Sequence, residues 1–241
     1  MRTVTKRRIA IALVLVVGAL IGPYGVGWAL SRPVMAHIGA PPASLGAEPV
    51  AFSSESGSMI HGWFSNAPSA RGSVLLLPGV RANRLTMVRR AEFLREAGYS
   101  VLLIDFQATG ESEGDAITFG WRERFDVLGA VRYLNARMPG RPVGVIGFSL
   151  GGAATLLAAP SLHVDAAVLE AVYPSIDRAV INRLQRFVGP LGRITAPLLL
   201  LLQRAVAARS RTVRDARLRF AKRARKMRMV DPARERAACR R

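Results

Sequence analysis

The chain has 241 residues, a mass of 26.0 kDa and a mean hydropathy of +0.22, and half of its residues are hydrophobic. This composition excludes a chain that is disordered throughout, and the length suits one large domain or two small ones. The single cysteine, Cys239, excludes an intrachain disulfide framework and a cysteine-rich zinc site.

The formal charge of +19 is concentrated at the two ends of the chain. Residues 1–30 carry four basic and no acidic side chains, and residues 204–241 carry 15 basic and 3 acidic ones. Residues 31–203, with 16 basic and 13 acidic side chains, are close to neutral. Nucleic-acid binding is therefore not the expected function, because it requires basic residues organised on a folded face.

The N-terminal segment predicts a transmembrane helix. Four basic residues within positions 2–8 precede an uncharged apolar run, and the 22 residues from Ile9 to Leu30 are enough to cross a bilayer. The uninterrupted apolar part, 9–21, also suits a signal peptide, but no clear cleavage site follows it. We therefore expect residues 1–30 to be an uncleaved signal anchor, with the N-terminus cytoplasmic and the remaining chain on the extracytoplasmic side.

A pattern of alternating strands and helices follows a Pro-, Gly- and Ala-rich stretch, 31–48, that is typical of a linker. Two short alternating runs, 50–53 and 58–64, predict a β-hairpin. Apolar runs then predict strands over 73–77, 100–106, 142–148 and 165–173, with helices predicted over 84–98, 119–138 and 150–157. Such alternation indicates a mostly parallel sheet flanked by helices, with ligands bound beyond the carboxyl ends of the strands.

The strongest motif lies where one of these strands ends. Residues 147–151 read Gly-Phe-Ser-Leu-Gly between a predicted strand and a predicted helix, the pattern of a nucleophile elbow centred on Ser149. The amide of Leu150 is the predicted first donor to an oxyanion, and the amide of Val80, after the strand at 73–77, is the second. A glycine turn with a passive serine is the alternative interpretation of the same pattern.

Three segments resemble the α/β-hydrolase family, in particular its serine aminopeptidase-like and esterase-like branch. They are LLLPGVRANR at 75–84, DFQATGESEG at 105–114 and the elbow itself. The resemblance implies ester or amide hydrolysis of a small molecule through an acyl-enzyme on Ser149, without a metal or organic cofactor. Pro78 stands where the family commonly has histidine, and we interpret Asp105 as a brace for the loop that leads to Ser112.

The family also places an acid and then a histidine after the nucleophile. Glu170 and Asp177 are candidates for the acid. His163 follows Ser149, but it precedes the next strand and is expected at the opposite edge of the sheet, while His37 and His61 do not match the family's position. The triad histidine is therefore predicted to be absent, and the activity of this chain is in doubt.

The remaining sequence predicts an incomplete hydrolase domain over 49–203, with a helical cap beginning at 174–203. An Arg- and Ala-rich tail, 204–241, replaces the two expected final strands, which suggests a truncation or a shift of reading frame near 203–210. The alternative function is a non-catalytic, membrane-anchored module whose basic tail binds anionic lipid or nucleic acid.

Overall fold

In the computed structural model the described residues are 28–67, 69–159 and 161–172. Residues 28–31 are helical. The elements that follow are eight strands and three α-helices: β1 (Val34–Met35), β2 (Glu48–Ser53), β3 (Met59–Ser65), β4 (Ser73–Leu77), α1 (Val88–Glu96), β5 (Ser100–Ile104), β6 (Thr109–Gly110), α2 (Glu123–Arg137), β7 (Val143–Phe148), α3 (Leu150–Ala158) and β8 (Ala166–Glu170). Short 3₁₀ helices lie at Ala43–Leu45 and Arg84–Met87.

Six strands form one sheet in the order β2-β3-β5-β4-β7-β8. The hairpin of β2 and β3 is antiparallel, and β3 joins β5 antiparallel, whereas β4, β5, β7 and β8 are parallel to one another. The carboxyl ends of the four parallel strands therefore lie at one edge, which we call the active-site edge. The predicted α/β class, the hairpin and the mostly parallel sheet are confirmed.

Helices cover both faces of the sheet because its central strands are apolar on both sides. Every residue of β4 and β5 is buried. One cluster places Leu75, Leu77 and Val145 against residues of α2 and α3, and the other places Trp63, Leu76 and Leu103 against Met87 and Ala91. Continuous burial of this kind is the physical reason that these strands read as unbroken apolar runs.

Several predicted elements are shorter in the structure than in the sequence analysis: the first predicted helix, 84–98, is α-helical over Val88–Glu96, and the strand predicted over 100–106 ends at Ile104. The backbone conformation explains two further differences. The second predicted helix begins at Glu123 rather than at 119, because Phe119 and Gly120 have φ of +53° and +101° and cannot be helical. The strand predicted over 165–173 is β8, and it ends at Glu170 because Ala171 has φ of +53°.

The stretch predicted as a linker, 31–48, packs on the sheet domain. Its β1 pairs in parallel with β6, and Leu45 is fully buried. The Leu45 carbonyl accepts hydrogen bonds from Ser65 Oγ at 2.6 Å and from the Arg95 guanidinium. The stretch is therefore part of the folded unit, which begins ahead of the predicted boundary at 49.

Several predictions fall outside the described residues. They are the main part of the membrane anchor, the cap at 174–203, the basic tail and any further strands. Among the residues that are described, no helix is both long and apolar enough to span a bilayer.

Candidate active site

The turn between β7 and α3 holds Ser149 in a strained backbone conformation. Its φ of +50° and ψ of −101° lie outside the regions that L-residues ordinarily occupy. The Ser149 N–H donates to the Glu170 carbonyl at 2.8 Å, and the Ser149 carbonyl accepts from the Ala153 N–H at 3.0 Å. Ser149 is thus fixed at the active-site edge, directly ahead of the first turn of a helix.

Glycines make this turn sterically possible. A Cβ at Gly147 would lie 2.6 Å from the Gly152 nitrogen, and a Cβ at Gly151 would lie 2.6 Å from the Leu77 carbonyl oxygen. Both obstructing atoms belong to the main chain, which has little room to move. The G-x-S-x-G spacing is therefore required by the close approach of α3 to β7 and β4, as the sequence pattern indicated.

The loop after β4 lies against the elbow. The Pro78 carbonyl accepts the Gly151 N–H at 3.1 Å, and a Cβ at Gly79 would be 3.1 Å from the Phe148 ring and 3.8 Å from Ser149 Cβ. Within the described residues, the N–H groups of Val80 and Leu150 make no hydrogen bond. These two amides, on the two segments that flank Ser149, are the donors that the sequence analysis predicted for an oxyanion hole.

The structure describes one of the two candidate acids. Glu170, the last residue of β8, forms an ion pair with Arg90 of α1 at 2.5 Å, and the two side chains are about equally exposed. Arg90 also lies over the Phe148 ring, 5.9 Å from its centroid. Asp177 lies outside the described residues.

His163 lies at the edge of the sheet opposite to the nucleophile. His163 precedes Asp165, whose carboxylate accepts the Val143 N–H at the start of β7, so the length of β7 separates it from Ser149. Six residues of strand correspond to about 20 Å. Sequence reasoning placed His163 at this opposite edge, and the structure agrees.

Among the described residues, neither of the other two histidines is hydrogen-bonded to Ser149. His61 is on β3, three strand positions from β7, which corresponds to about 14 Å. His37 is 92% exposed and its Nδ1 lies 3.3 Å from Glu111 Oε1. In the described part of the chain, Ser149 Oγ has no hydrogen bond to an imidazole.

The brace role predicted for Asp105 is confirmed. Its fully buried carboxylate accepts the amides of Arg84 at 2.7 Å and Glu111 at 3.0 Å, and it pairs with the Arg84 guanidinium. Its carbonyl accepts the Ser112 hydroxyl at 2.8 Å. Asp105 therefore holds the ends of two active-edge loops together and is not aimed at substrate.

Glu111 extends this network to the N-terminal stretch. The carboxylate accepts the amides of Ile38 at 2.9 Å and Gly39 at 3.1 Å and also pairs with Arg84. Partial burial acts to raise the pKa of Glu111, but these donors together outweigh it and lower the pKa to about 2. Sequence reasoning missed this contact, since main-chain donors leave no pattern in the sequence.

A second buried acidic group lies at the start of α2. Burial raises the pKa of Asp126 to about 6, against hydrogen bonds from Ser54 and Ser56 and from the Gln107 amide. Glu123 is also fully buried, and it accepts the amides of Thr118 and Gly120, each at 2.7 Å. This cluster anchors the loop between β5 and α2 and takes no part in the elbow. Among the described residues, no group of acidic, histidine or cysteine side chains is arranged to hold a metal ion.

Comparison with known proteins agrees with this geometry. The model of the alpha/beta hydrolase family matches residues 74–240. Comparison with curated proteins finds no match.

Among solved structures, three crystal forms of the esterase Pf2001 from Pyrococcus furiosus are similar to this chain. The form in space group P212121 has a TM-score of 0.60 at 25% identity, and the match covers 66% of this chain and 63% of that chain. The P21 form gives 0.57 at 23% identity, covering 68% and 69%, and the C2221 form gives 0.52 at 23%, covering 71% and 70%. In the first match the chain thus spans less than two thirds of the esterase. The fold, the elbow and the family match together show that the chain belongs to the alpha/beta hydrolase family.

Proposed function

We propose that this hydrolase is a serine hydrolase that cleaves a small-molecule ester or amide through an acyl-enzyme on Ser149. The observation that carries the proposal is the strained backbone of Ser149, held between β7 and α3 and flanked by the loop that contains Val80. The helix that follows points its N-terminus at the serine, where its partial positive charge favours a developing oxyanion. The esterase similarity supports ester chemistry over amide chemistry.

The reaction would proceed in two steps. Ser149 Oγ attacks the carbonyl carbon and loses its proton to a base, while the Leu150 and Val80 amides bind the oxygen that becomes negative. The carbon–oxygen or carbon–nitrogen bond then breaks, and the leaving group takes the proton. Water repeats the attack on the acyl-enzyme and regenerates the serine.

The proposal assigns no residue of this chain as the general base. The family uses a histidine oriented by an acid, and neither His163 at the far edge nor His37 and His61 contacts Ser149. Glu170 and Asp177 remain candidates for the acid. We propose that turnover is slow, because an oxyanion hole without its base retains only a small part of the catalysis of a complete triad.

Anchoring by residues 1–30, with the hydrolase domain on the extracytoplasmic side, is part of the same proposal. It rests on the 22 uncharged residues from Ile9 to Leu30 and on the basic residues before them. The truncation near 203–210 stays a prediction, and resequencing the gene past the stop codon in all three frames tests it.

Hydrolysis of p-nitrophenyl esters by the full chain in detergent tests the catalytic claim. Ser149→Ala is expected to remove all enzyme-dependent release of nitrophenol. Ser161→Ala is the matched control, because Ser161 lies in the turn after α3 at the opposite edge, and it is expected to leave the rate unchanged. Equal rates for Ser149→Ala and the unaltered chain would overturn the proposal.

A further inference from the structure

Arg84 is a basic side chain buried inside the hydrolase domain. Its side chain is 2% exposed, and its Cζ lies 4.7 Å from the centroid of the Trp63 ring. A buried charge is costly unless opposite charges and hydrogen bonds compensate it. Here the guanidinium pairs with two carboxylates, those of Asp105 and Glu111. Arg84 is therefore a fixed point of the structure and not a surface cation.

This ion-pair network joins three segments of the chain. Arg84 follows β4, whereas Asp105 and Glu111 lie in the loop after β5. The Arg84 main-chain N–H donates to Asp105 Oδ1 at 2.7 Å, so Arg84 is held through both its main chain and its side chain. Glu111 in turn accepts the amides of Ile38 and Gly39. The loop after β4 is thus attached to the loop after β5 and, through Glu111, to the stretch ahead of β2.

The loop that carries Val80 is attached to the domain at both ends. At its start, the Pro78 carbonyl accepts the Gly151 N–H of α3 at 3.1 Å. At its end, Arg84 is bound to Asp105. Val80 lies between these two attachments, so the direction of its N–H depends on both of them.

A strained turn lies between the two attachments. Its hydrogen bond runs from the Ala82 N–H to the Gly79 carbonyl at 3.2 Å, so the turn itself does not use the Val80 N–H. Arg81, the third residue of the turn, has φ of +59°, a conformation in which glycine is usual. A non-glycine residue keeps such a backbone only where the surrounding structure imposes it. The bonds of Arg84, three residues further on, supply such a constraint.

From these contacts we propose that Arg84 is a positioning residue for the oxyanion hole: by fixing the end of the loop, it directs the Val80 amide toward the carbonyl oxygen of the substrate. The inference rests on the proposed serine hydrolase function. Arg84 acts through the main chain, because its guanidinium is compensated by two carboxylates and is too buried to reach substrate. Its loss would weaken binding of the negative oxygen in the transition state and leave binding of the substrate unchanged.

Glu111→Gln tests this role, with Glu113→Gln as its matched control. Glu111→Gln removes one ion pair of Arg84 but leaves the pair with Asp105, so the domain is expected to fold. The same substitution at Glu113 changes an exposed side chain two residues along the same loop. The substrates are p-nitrophenyl acetate and its thionoester, in which sulfur replaces the carbonyl oxygen. Because sulfur is a weak hydrogen-bond acceptor, the thionoester makes little use of an oxyanion hole.

The expected loss is confined to kcat and to the oxygen ester. Glu111→Gln should lower kcat for the oxygen ester about fivefold at unchanged KM, and should lower the ratio of oxygen-ester to thionoester rates about threefold. Arg84→Met should lower both further, Arg84→Lys should recover part of that loss, and Glu113→Gln should change neither. A raised KM at unchanged kcat, or an unchanged ratio, in Glu111→Gln would overturn the positioning role.

Hydrogen exchange of the full chain in detergent tests the attachment of the loop without requiring catalysis. The amides of Ala82 and Arg84 are hydrogen-bonded, and Glu111→Gln should speed their exchange about threefold while exchange in α2 stays the same. Unchanged exchange at both amides would overturn the attachment. Equal ester hydrolysis by Ser149→Ala and the unaltered chain would instead overturn the serine hydrolase function, and the exchange result would then decide the attachment alone.

Discussion

The elbow makes a sharp prediction about two glycines on one strand, Gly147 and Gly144. An alanine Cβ at position 147 would lie 2.6 Å from the Gly152 nitrogen and 2.7 Å from the Gly151 carbonyl carbon. An alanine Cβ at position 144 would meet its nearest atom, Val74 Cγ2, at 3.7 Å, which is an ordinary contact. The two substitutions are chemically identical and differ only in what surrounds them.

The cost at position 147 follows from these distances. The first turn of α3 would have to move by about 0.8 Å to restore normal contacts, and it is also held by the bond from Gly151 to Pro78. Overpacking costs about 1–3 kcal/mol, and a main-chain obstruction belongs at the upper end, about 3 kcal/mol. Gly144→Ala should instead gain about 0.5–1 kcal/mol, because glycine in a strand loses more conformational freedom on folding than alanine.

Urea unfolding of the full chain in detergent, followed by tryptophan fluorescence, measures both effects. With a slope of about 2 kcal/mol per molar urea, Gly147→Ala should lower the midpoint by about 1.5 M, and Gly144→Ala should leave it equal or slightly higher. Ester hydrolysis should be lost for Gly147→Ala even in the absence of urea, because Ser149 moves with the turn. A Gly147→Ala chain with unchanged midpoint and unchanged hydrolysis would refute the elbow geometry.

Three further predictions concern the charged groups. The ion pair between Arg90 and Glu170 joins α1 to the strand end that holds Ser149, so kcat should fall by about the same severalfold factor in Arg90→Gln, in Glu170→Gln and in the double variant. A loss of about a thousandfold for Glu170→Gln, with Arg90→Gln nearly normal, would instead identify Glu170 as the triad acid. The pKa of Asp126 is about 6 in the folded chain against an ordinary 3.8, so its ionisation lowers the free energy of unfolding as pH rises through 6, by at most about 3 kcal/mol. Asp126→Asn should therefore unfold at a higher urea concentration than the unaltered chain at pH 8. The difference between the two chains should be smaller at pH 4. The pKa of Glu111 is lowered from 4.5 to about 2, so its stabilisation of the 34–39 stretch is complete above 4.5 and is lost as pH falls through 2; Glu111→Gln should speed amide exchange at Ile38 and Gly39, and unchanged exchange would contradict the docking.

Local sequence patterns predicted the elements and the elbow because their causes are local. The unbroken apolar runs of β4 and β5 reflect burial on both faces. The glycines around Ser149 are required by main-chain contacts within five residues and across to β4. An apolar side chain and a missing Cβ are properties of the residue itself, so both constraints can be recognised in the sequence.

Contacts between distant segments could not be predicted in the same way. The Arg90–Glu170 ion pair joins residues 80 positions apart, and each is an ordinary surface residue in sequence. The stretch at 34–46 has the composition of a linker, and it is held by hydrogen bonds between main-chain groups and the Glu111 carboxylate. The turn before α2 was predicted as part of the helix over 119–138, but the Glu123 carboxylate accepts the amides of Thr118 and Gly120 and holds a turn there.

Covalent labelling tests the central claim most directly. The full chain in phosphatidylcholine vesicles is incubated with a fluorophosphonate, digested and mapped by mass spectrometry. The account predicts one phosphonyl adduct, on the peptide that contains Ser149, formed by the unaltered chain and by Ser161→Ala but not by Ser149→Ala. A folded chain that forms no adduct at Ser149, or forms it equally at other serines, would contradict the assignment of Ser149 as the nucleophile.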